Sequence, residues 1–288
     1  MLDCKKILFP IDMSDSCTKT APFVEAMARK YSAEVTMLHA LEIPPALITD
    51  WPGGAVPFID IDSIWTAETE ASKAYLMDKF EGLKVQRIVM EGSAARVIDD
   101  YVRDHHTDLI MMPTHGRGLF RTLLLGSVTA KVLHDTACPV WTGVHIESPP
   151  TISSDLSTII CGVDLTEDGI ATMQFASRLA EDSKAKLFLV HAVPGAEVIP
   201  EKYFDEDLRY CLEQDARKII SQLQVSAGVT APICLGAGKV SHVVRDAALG
   251  HSADLIVIGR GRATDTLGRL RSNVYSIVRD APCPVISM

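Results

Sequence analysis

Lys6-Ile-Leu-Phe-Pro-Ile-Asp12 and Thr158-Ile-Ile-Cys-Gly-Val-Asp164 are two versions of one phrase, an apolar run that stops at an aspartate. Short apolar runs with a polar stop read as buried strands. The same events follow in both places. Ala33-Glu-Val-Thr-Met-Leu-His-Ala40 matches Ala185-Lys-Leu-Phe-Leu-Val-His-Ala192. Thr107-Asp-Leu-Ile-Met-Met112 matches Ala253-Asp-Leu-Ile-Val-Ile258, and Ala137-Cys-Pro-Val140 matches Pro282-Cys-Pro-Val285. The offset drifts only from 152 residues, between Asp12 and Asp164, to 145, between Cys138 and Cys283. Four collinear matches mark an internal duplication.

Within each half, short apolar runs alternate with longer amphipathic stretches. In the first half the strands are expected at about Lys6–Asp12, Glu34–Ala40, Gln86–Glu91, Leu109–Pro113 and Val140–Val144. Helical spacing runs from Ser14 to Ala28 behind cap-type residues, and from Ala94 to Arg103 with Val97, Ile98, Tyr101 and Val102 on one face. Strands that alternate with helices give a parallel sheet covered on both faces. The expectation is an α/β protein of two tandem Rossmann-like or flavodoxin-like domains, each a five-stranded parallel sheet. They span 1–146 and 155–288, joined by the Pro/Ser-rich His145–Asp155. Ligands in such folds bind beyond the C-terminal ends of the strands. Ile43–Phe58 breaks the rhythm with four prolines and two glycines, and it follows the second strand. It reads either as a lid or contact loop presenting Trp51 and Phe58, or as a plain connector.

The 288 residues suffice for two cores, and the formal charge of −9 argues against a general nucleic-acid or anionic-membrane binder. Seven cysteines, none in a C-x-x-C pair, read as buried thiols rather than a zinc or disulfide framework. No apolar run approaches membrane length and the N-terminus has no signal core, so a cytoplasmic protein is expected.

Met111-Met-Pro-Thr-His-Gly-Arg-Gly-Leu-Phe-Arg-Thr-Leu-Leu-Leu-Gly-Ser-Val-Thr-Ala-Lys131 carries the chemistry. A strand ends in a glycine turn, nine residues intervene after Gly116, and Gly126-Ser127 opens a helix. Glycines admit close backbone approach, and the free N–H groups of a helix start face an anion. Ser127 and Thr129 add hydroxyls, Arg117 and Arg121 positive charge, and His115 a further contact to phosphate. Asp12 and Asp164 also read as caps of the helices that follow them, and His39 and His191 as satisfied, half-buried strand-end histidines.

With Pro10-Ile-Asp12 before it and Cys138-Pro-Val140 after it, this motif resembles that of the universal stress protein family, over about residues 4–144 and again 157–288. The resemblance implies ATP, or AMP or ADP, in the nucleotide-binding branch, with any Mg2+ arriving with the nucleotide. It implies that Pro10, Ile11 and Asp12 end the first strand beside adenine and ribose. Ala40 would line the base through its backbone and Met112 the ribose. Gly116, Gly126, Ser127, Val128 and Thr129 would cradle the phosphates. Pro113 stands where the family motif G-x-x-G has its first glycine, and it lacks a donor. In the second half Asp164, Ala192, Ile258, Gly259, Gly261 and Ser272 form a weaker version of the site, because Arg271 replaces the helix-opening glycine. Arg260, Arg262, Arg269 and Arg271 there read as a site for a different anion or as a solvated loop paired with Asp265 and Asp280.

The resemblance implies a stress-response regulator that binds an adenine nucleotide in its first half. The alternatives are a slow ATPase and an interaction scaffold without nucleotide. No nucleophile–base–acid set and no metal-ligand spacing is present in the sequence. The resemblance also implies an internal pseudo-dimer or a homodimer through the last strands, Val140–Val144 and Val285–Met288, and a protein partner of unknown identity.

Overall fold

The structure, a computed structural model, describes residues 2–43, 60–116, 125–143, 156–193, 206–261 and 269–288. Trp51, Phe58, Arg117, Arg121, Val144, the linker, Arg262 and Asp265 lie outside the described residues, as do the side chains of Arg269, Arg271 and Ser272.

In the first repeat the order is β1 (Lys6–Ile11), α1 (Asp15–Tyr31), β2 (Glu34–Leu41), α2 (Ile61–Ala74), β3 (Val85–Glu91), α3 (Ala94–His105), β4 (Leu109–Pro113), α4 (Ser127–Asp135) and β5 (Val140–Gly143). The second repeat gives β6 (Thr158–Gly162), α5 (Gly169–Ser183), β7 (Lys186–Val193), α6 (Glu206–Ala227), β8 (Ile233–Ala237), α7 (Val240–Gly250), β9 (Leu255–Ile258), α8 (Arg269–Asp280) and β10 (Val285–Ser287). Within each repeat the described strands and helices alternate, as the apolar periodicity requires.

The described elements fall into two compact units, β1–β4 with α1–α4 and β5–β10 with α5–α8. The first has strand order β3-β2-β1-β4, all parallel. The second has order β5-β10-β9-β6-β7-β8 and is parallel except for β5, which runs antiparallel to β10. Each repeat thus supplies five strands, but β5 groups with the second unit. There Trp141 lies opposite Ile286, and the buried Thr142 hydroxyl donates to the Val285 carbonyl at 3.1 Å.

The cores lie where the strands predict. Ile7, Leu8 and Phe9 of β1 are buried, as are Ile159, Ile160 and Cys161 of β6. The α3 face read from spacing, Val97, Ile98, Tyr101 and Val102, is buried too. Helix α1 starts at Ser14, whose hydroxyl accepts the Cys17 N–H, and stops at Ser32 in the left-handed region. It runs beyond Ala28 because Tyr31 still has a core face to fill, at 2% exposure. Among the described residues no helix is long and apolar enough to cross a membrane.

Candidate functional site

The end of β1 and the end of β4 meet around Asp12. Its Oδ1 accepts the Ser14 N–H at 3.0 Å and the Cys17 thiol at 3.1 Å. The N-cap of α1 is Ser14, so Asp12 organises the turn before the helix rather than capping it. Asp164 does the same, accepting the N–H and the hydroxyl of Thr166 at 3.1 and 2.7 Å, while Asp168 holds the N-cap position of α5. Asp12 is closed in by Gly116, where an added Cβ would lie 2.3 Å from Oδ2. A side chain there would displace either the loop or the aspartate.

At the far end of the same loop, Gly126 donates its N–H to the Thr114 carbonyl at 2.9 Å and serves as N-cap of α4. A Cβ there would meet that carbonyl at 3.1 Å. The buried Thr129 hydroxyl donates to the Pro113 carbonyl at 3.1 Å and ties the first turn of α4 to the end of β4. Pro113 is buried, and although it has no N–H its carbonyl accepts from the Thr129 hydroxyl. The half-buried His115 has Nδ1 2.8 Å from the Thr114 hydroxyl. Met112 is 4% exposed, so it lies in the core floor beneath the loop.

On the other side, Ile11 lies opposite His39 in register. His39 Nδ1 bonds the Ile11 carbonyl at 2.9 Å, and its Nε2 lies 3.4 Å from Glu68 of α2. A carbonyl only accepts, so Nδ1 carries the proton. Glu68 thus faces a histidine. Asp60 caps α2 by accepting the Ser63 N–H at 3.2 Å. Among the described residues no group of three or more His, Cys, Asp or Glu side chains fits a metal ion. Tyr75, just past α2, donates to the Ser14 carbonyl at 3.3 Å and lies 2.9 Å from the Thr18 hydroxyl. Cys17, Thr114 and Tyr75 are not among the site residues expected from the sequence. Only Cys17 leaves a local signal, three residues after a capping serine.

Burial, and then the charge of Asp12, pushes the Cys17 thiol up to about 12. It stays protonated at neutral pH, as a donor to Asp12 needs, and it is shielded from electrophiles. In native protein at pH 8, iodoacetamide is expected to label the exposed Cys211 and to reach Cys17 only after unfolding. Peptide mapping checks this, and labelling of Cys17 at the rate of Cys211 would contradict the buried pair.

The second repeat has an open cavity of about 360 Å3 at the ends of β6, β7 and β9. Asp164, Ala192, Ile258, Gly259 and Gly261 all line it, so the structure brings five of the six expected positions together. Ser272 lies in α8. Arg260, the one arginine of that cluster whose side chain is described, differs from the solvated reading. Arg260 is only 8% exposed and lines the cavity, and Asp280 pairs with its neighbour Arg279 at 2.8 Å. The Arg260 N–H is anchored on the Met288 carbonyl at 2.7 Å, which draws the residue inward.

Strand-end aspartates, glycine-lined turns and a helix start at the ends of parallel strands define an α/β protein of the duplicated Rossmann-like class. The universal stress protein family model matches residues 4–142 and again 156–287. The chain belongs to the universal stress protein family. A universal stress protein of Thermus aquaticus is 32% identical over 133 residues, covering 45% of this chain and 96% of that relative. One from Methanocaldococcus jannaschii is 28% identical over 138 residues, covering 47% of this chain and 79% of the relative. The crystal structure of a universal stress protein from Archaeoglobus fulgidus matches with a TM-score of 0.73 at 19% identity, covering 99% of this chain and 98% of that one. That likeness supports the tandem α/β fold.

Proposed function

We propose that this chain is a stress-response regulator whose first repeat binds an adenine nucleotide, ATP foremost, with any Mg2+ carried in on the phosphates. The start of α4 carries the reading. Ala130 is the first residue whose N–H reaches back to a carbonyl of that helix start, Gly126 O at 2.8 Å. By helix geometry the N–H groups of Ser127, Val128 and Thr129 have no such partner, and they fan out at the positive end of the helix. Gly126 and Gly116 add no side chain of their own at this helix start, and a phosphate satisfies those amides. Asp12 and the backbone of Ala40, at the ends of β1 and β2, face the sugar and the base in this reading. Binding then biases the α1 and α2 contacts at Ser14, Tyr75 and Glu68, which gives a regulator a route outward.

A thermal melt of nucleotide-stripped protein with and without Mg·ATP tests this. At ~100-fold over Kd the ligand adds about 2.7 kcal/mol, a rise of roughly 5–10 °C. Gly126→Arg, which copies the second repeat's residue into the first, is expected to abolish the rise. An unchanged melt in the unmodified protein, or an undiminished rise in the variant, refutes the assignment.

A further inference from the structure

We infer that helix α2 is a latch. With the turn that follows, it opens from the first repeat as a unit while α1 and α3 stay packed, and Tyr75 is its catch. This opening does not depend on the nucleotide reading.

The packing under α2 is thin. Trp65, Glu68, Thr69 and Ser72 recur at the spacing of one helix face, and Glu68 reaches His39 of β2, so this face is turned to the sheet. Three of the four are polar. Ser72 is the one buried residue of α2, whereas α1 buries six residues and α3 five. α2 packs on β2 and β3, and no residue of β3 is buried. The Thr69 and Ser72 hydroxyls are shut off from solvent and have no hydrogen-bond partner among the described residues. Both give up water when α2 docks and gain nothing in return, so docking is opposed by the groups that should secure it.

What holds α2 shut is a set of single polar ties. Glu68 lies 3.4 Å from His39 Nε2. The Tyr75 hydroxyl donates to the Ser14 carbonyl at 3.3 Å and lies 2.9 Å from the Thr18 hydroxyl. Burial pushes that hydroxyl up to about 12, so it keeps the proton it donates. Arg87 of β3 donates to the Tyr75 and Leu76 carbonyls at 3.4 and 3.2 Å. In the turn beyond, Leu76 and Phe80 are both left-handed, at φ 52° and 63°, which is uncommon for residues with side chains. Phe80, at 2% exposure, is the next residue fixed in the core, so the opening unit ends before it. Few buried apolar contacts and isolated polar ties mark a segment that opens below global unfolding.

Ser14 links this latch to the Asp12 turn. Its N–H donates to Asp12, its hydroxyl caps α1 and its carbonyl receives Tyr75. A ligand that fixes Asp12 therefore steadies the catch, and a closed catch favours that ligand by the same factor.

Hydrogen exchange read by mass spectrometry on the full chain, stripped of nucleotide, tests the latch. The hydrogen-bonded amides of α2 are expected to exchange at least ~10-fold faster than those of α1 and α3. Tyr75→Phe keeps the ring and removes the catch. It is expected to speed α2 by a further factor of about 5–10, with α3 and the melting temperature unchanged. Thr69→Val removes a partnerless hydroxyl at nearly constant shape and helix propensity, and is expected to slow α2 by about 5-fold. The two variants move the same amides in opposite directions, which a general loss of fold does not do. Exchange of α2 in step with α1 and α3, an α2 rate unaltered by either variant, or rates that shift across the whole first repeat overturns the inference. Added Mg·ATP is expected to slow α2, and ATP that binds without changing that rate overturns the link through Ser14. A protein that binds no ATP but shows the expected rates in all three forms sinks the nucleotide reading and leaves the latch standing.

Discussion

Gly116→Ala is expected to weaken ATP binding by about 10–100-fold, although it adds one methyl group. The added Cβ falls 2.3 Å from Asp12 Oδ2 and 3.4 Å from its Cγ, closer than a carbon and a carboxylate oxygen can sit. Either the loop lifts or the aspartate turns away from Ser14 and Cys17. Overpacking of this kind costs about 1–3 kcal/mol, and each ~1.4 kcal/mol lost from the bound state is tenfold in affinity. The same displacement moves two proposed contacts at once, Asp12 and the loop. Calorimetric titration reads the effect. Unaltered affinity would show that Asp12 and the loop separate without consequence for the ligand, against the site proposed for the first repeat.

Phe9→Ala is expected to lower the stability of the first unit by about 3–5 kcal/mol, a fall of roughly 10 °C or more in its melting transition. Phe9 is fully buried in the middle of β1, between β2 and β4, and its register partner is Met37, also fully buried. Removing the ring strips packing from a core that cannot collapse onto it, because both flanking strands are fixed by backbone ladders. The strand that loses the ring also carries Asp12, but the aspartate is held by Ser14 and Cys17 in the next turn. ATP affinity per folded molecule is therefore expected to survive where stability does not. Denaturant melts with and without Mg·ATP separate the two. A loss below about 1 kcal/mol would place Phe9 outside a tightly packed core.

Much of the fold is legible locally. β4 is expected at Leu109–Pro113 and is found there, and β2 extends one residue past its expected end, to Leu41. Apolar runs between polar stops are a local signal of burial, and burial on both faces is what these strands share. The end of α1 is less legible, since it stops in a left-handed serine rather than at a glycine. The site is legible in part. Gly116 and Gly126 stand out as glycines, but nothing near Gly116 in the chain says that a carboxylate from position 12 fills the space beside it. Likewise the arginine at 260 reads as one more charge in a polar loop, until the Met288 carbonyl is found holding its backbone.

The duplication, the order of strands and helices and the helix start at Gly126-Ser127 are determined by the sequence alone, because periodicity, capping and glycine placement act over a few residues. Only the tertiary structure decides that β5 groups with β10 in the second unit, that Gly116 abuts Asp12, and that α1 runs on past Ala28 to Tyr31. The first two join residues more than a hundred positions apart, and the third depends on how far a helix propagates against its surroundings. Neither distance in space nor the end of a helix in a packed unit is written in the local pattern.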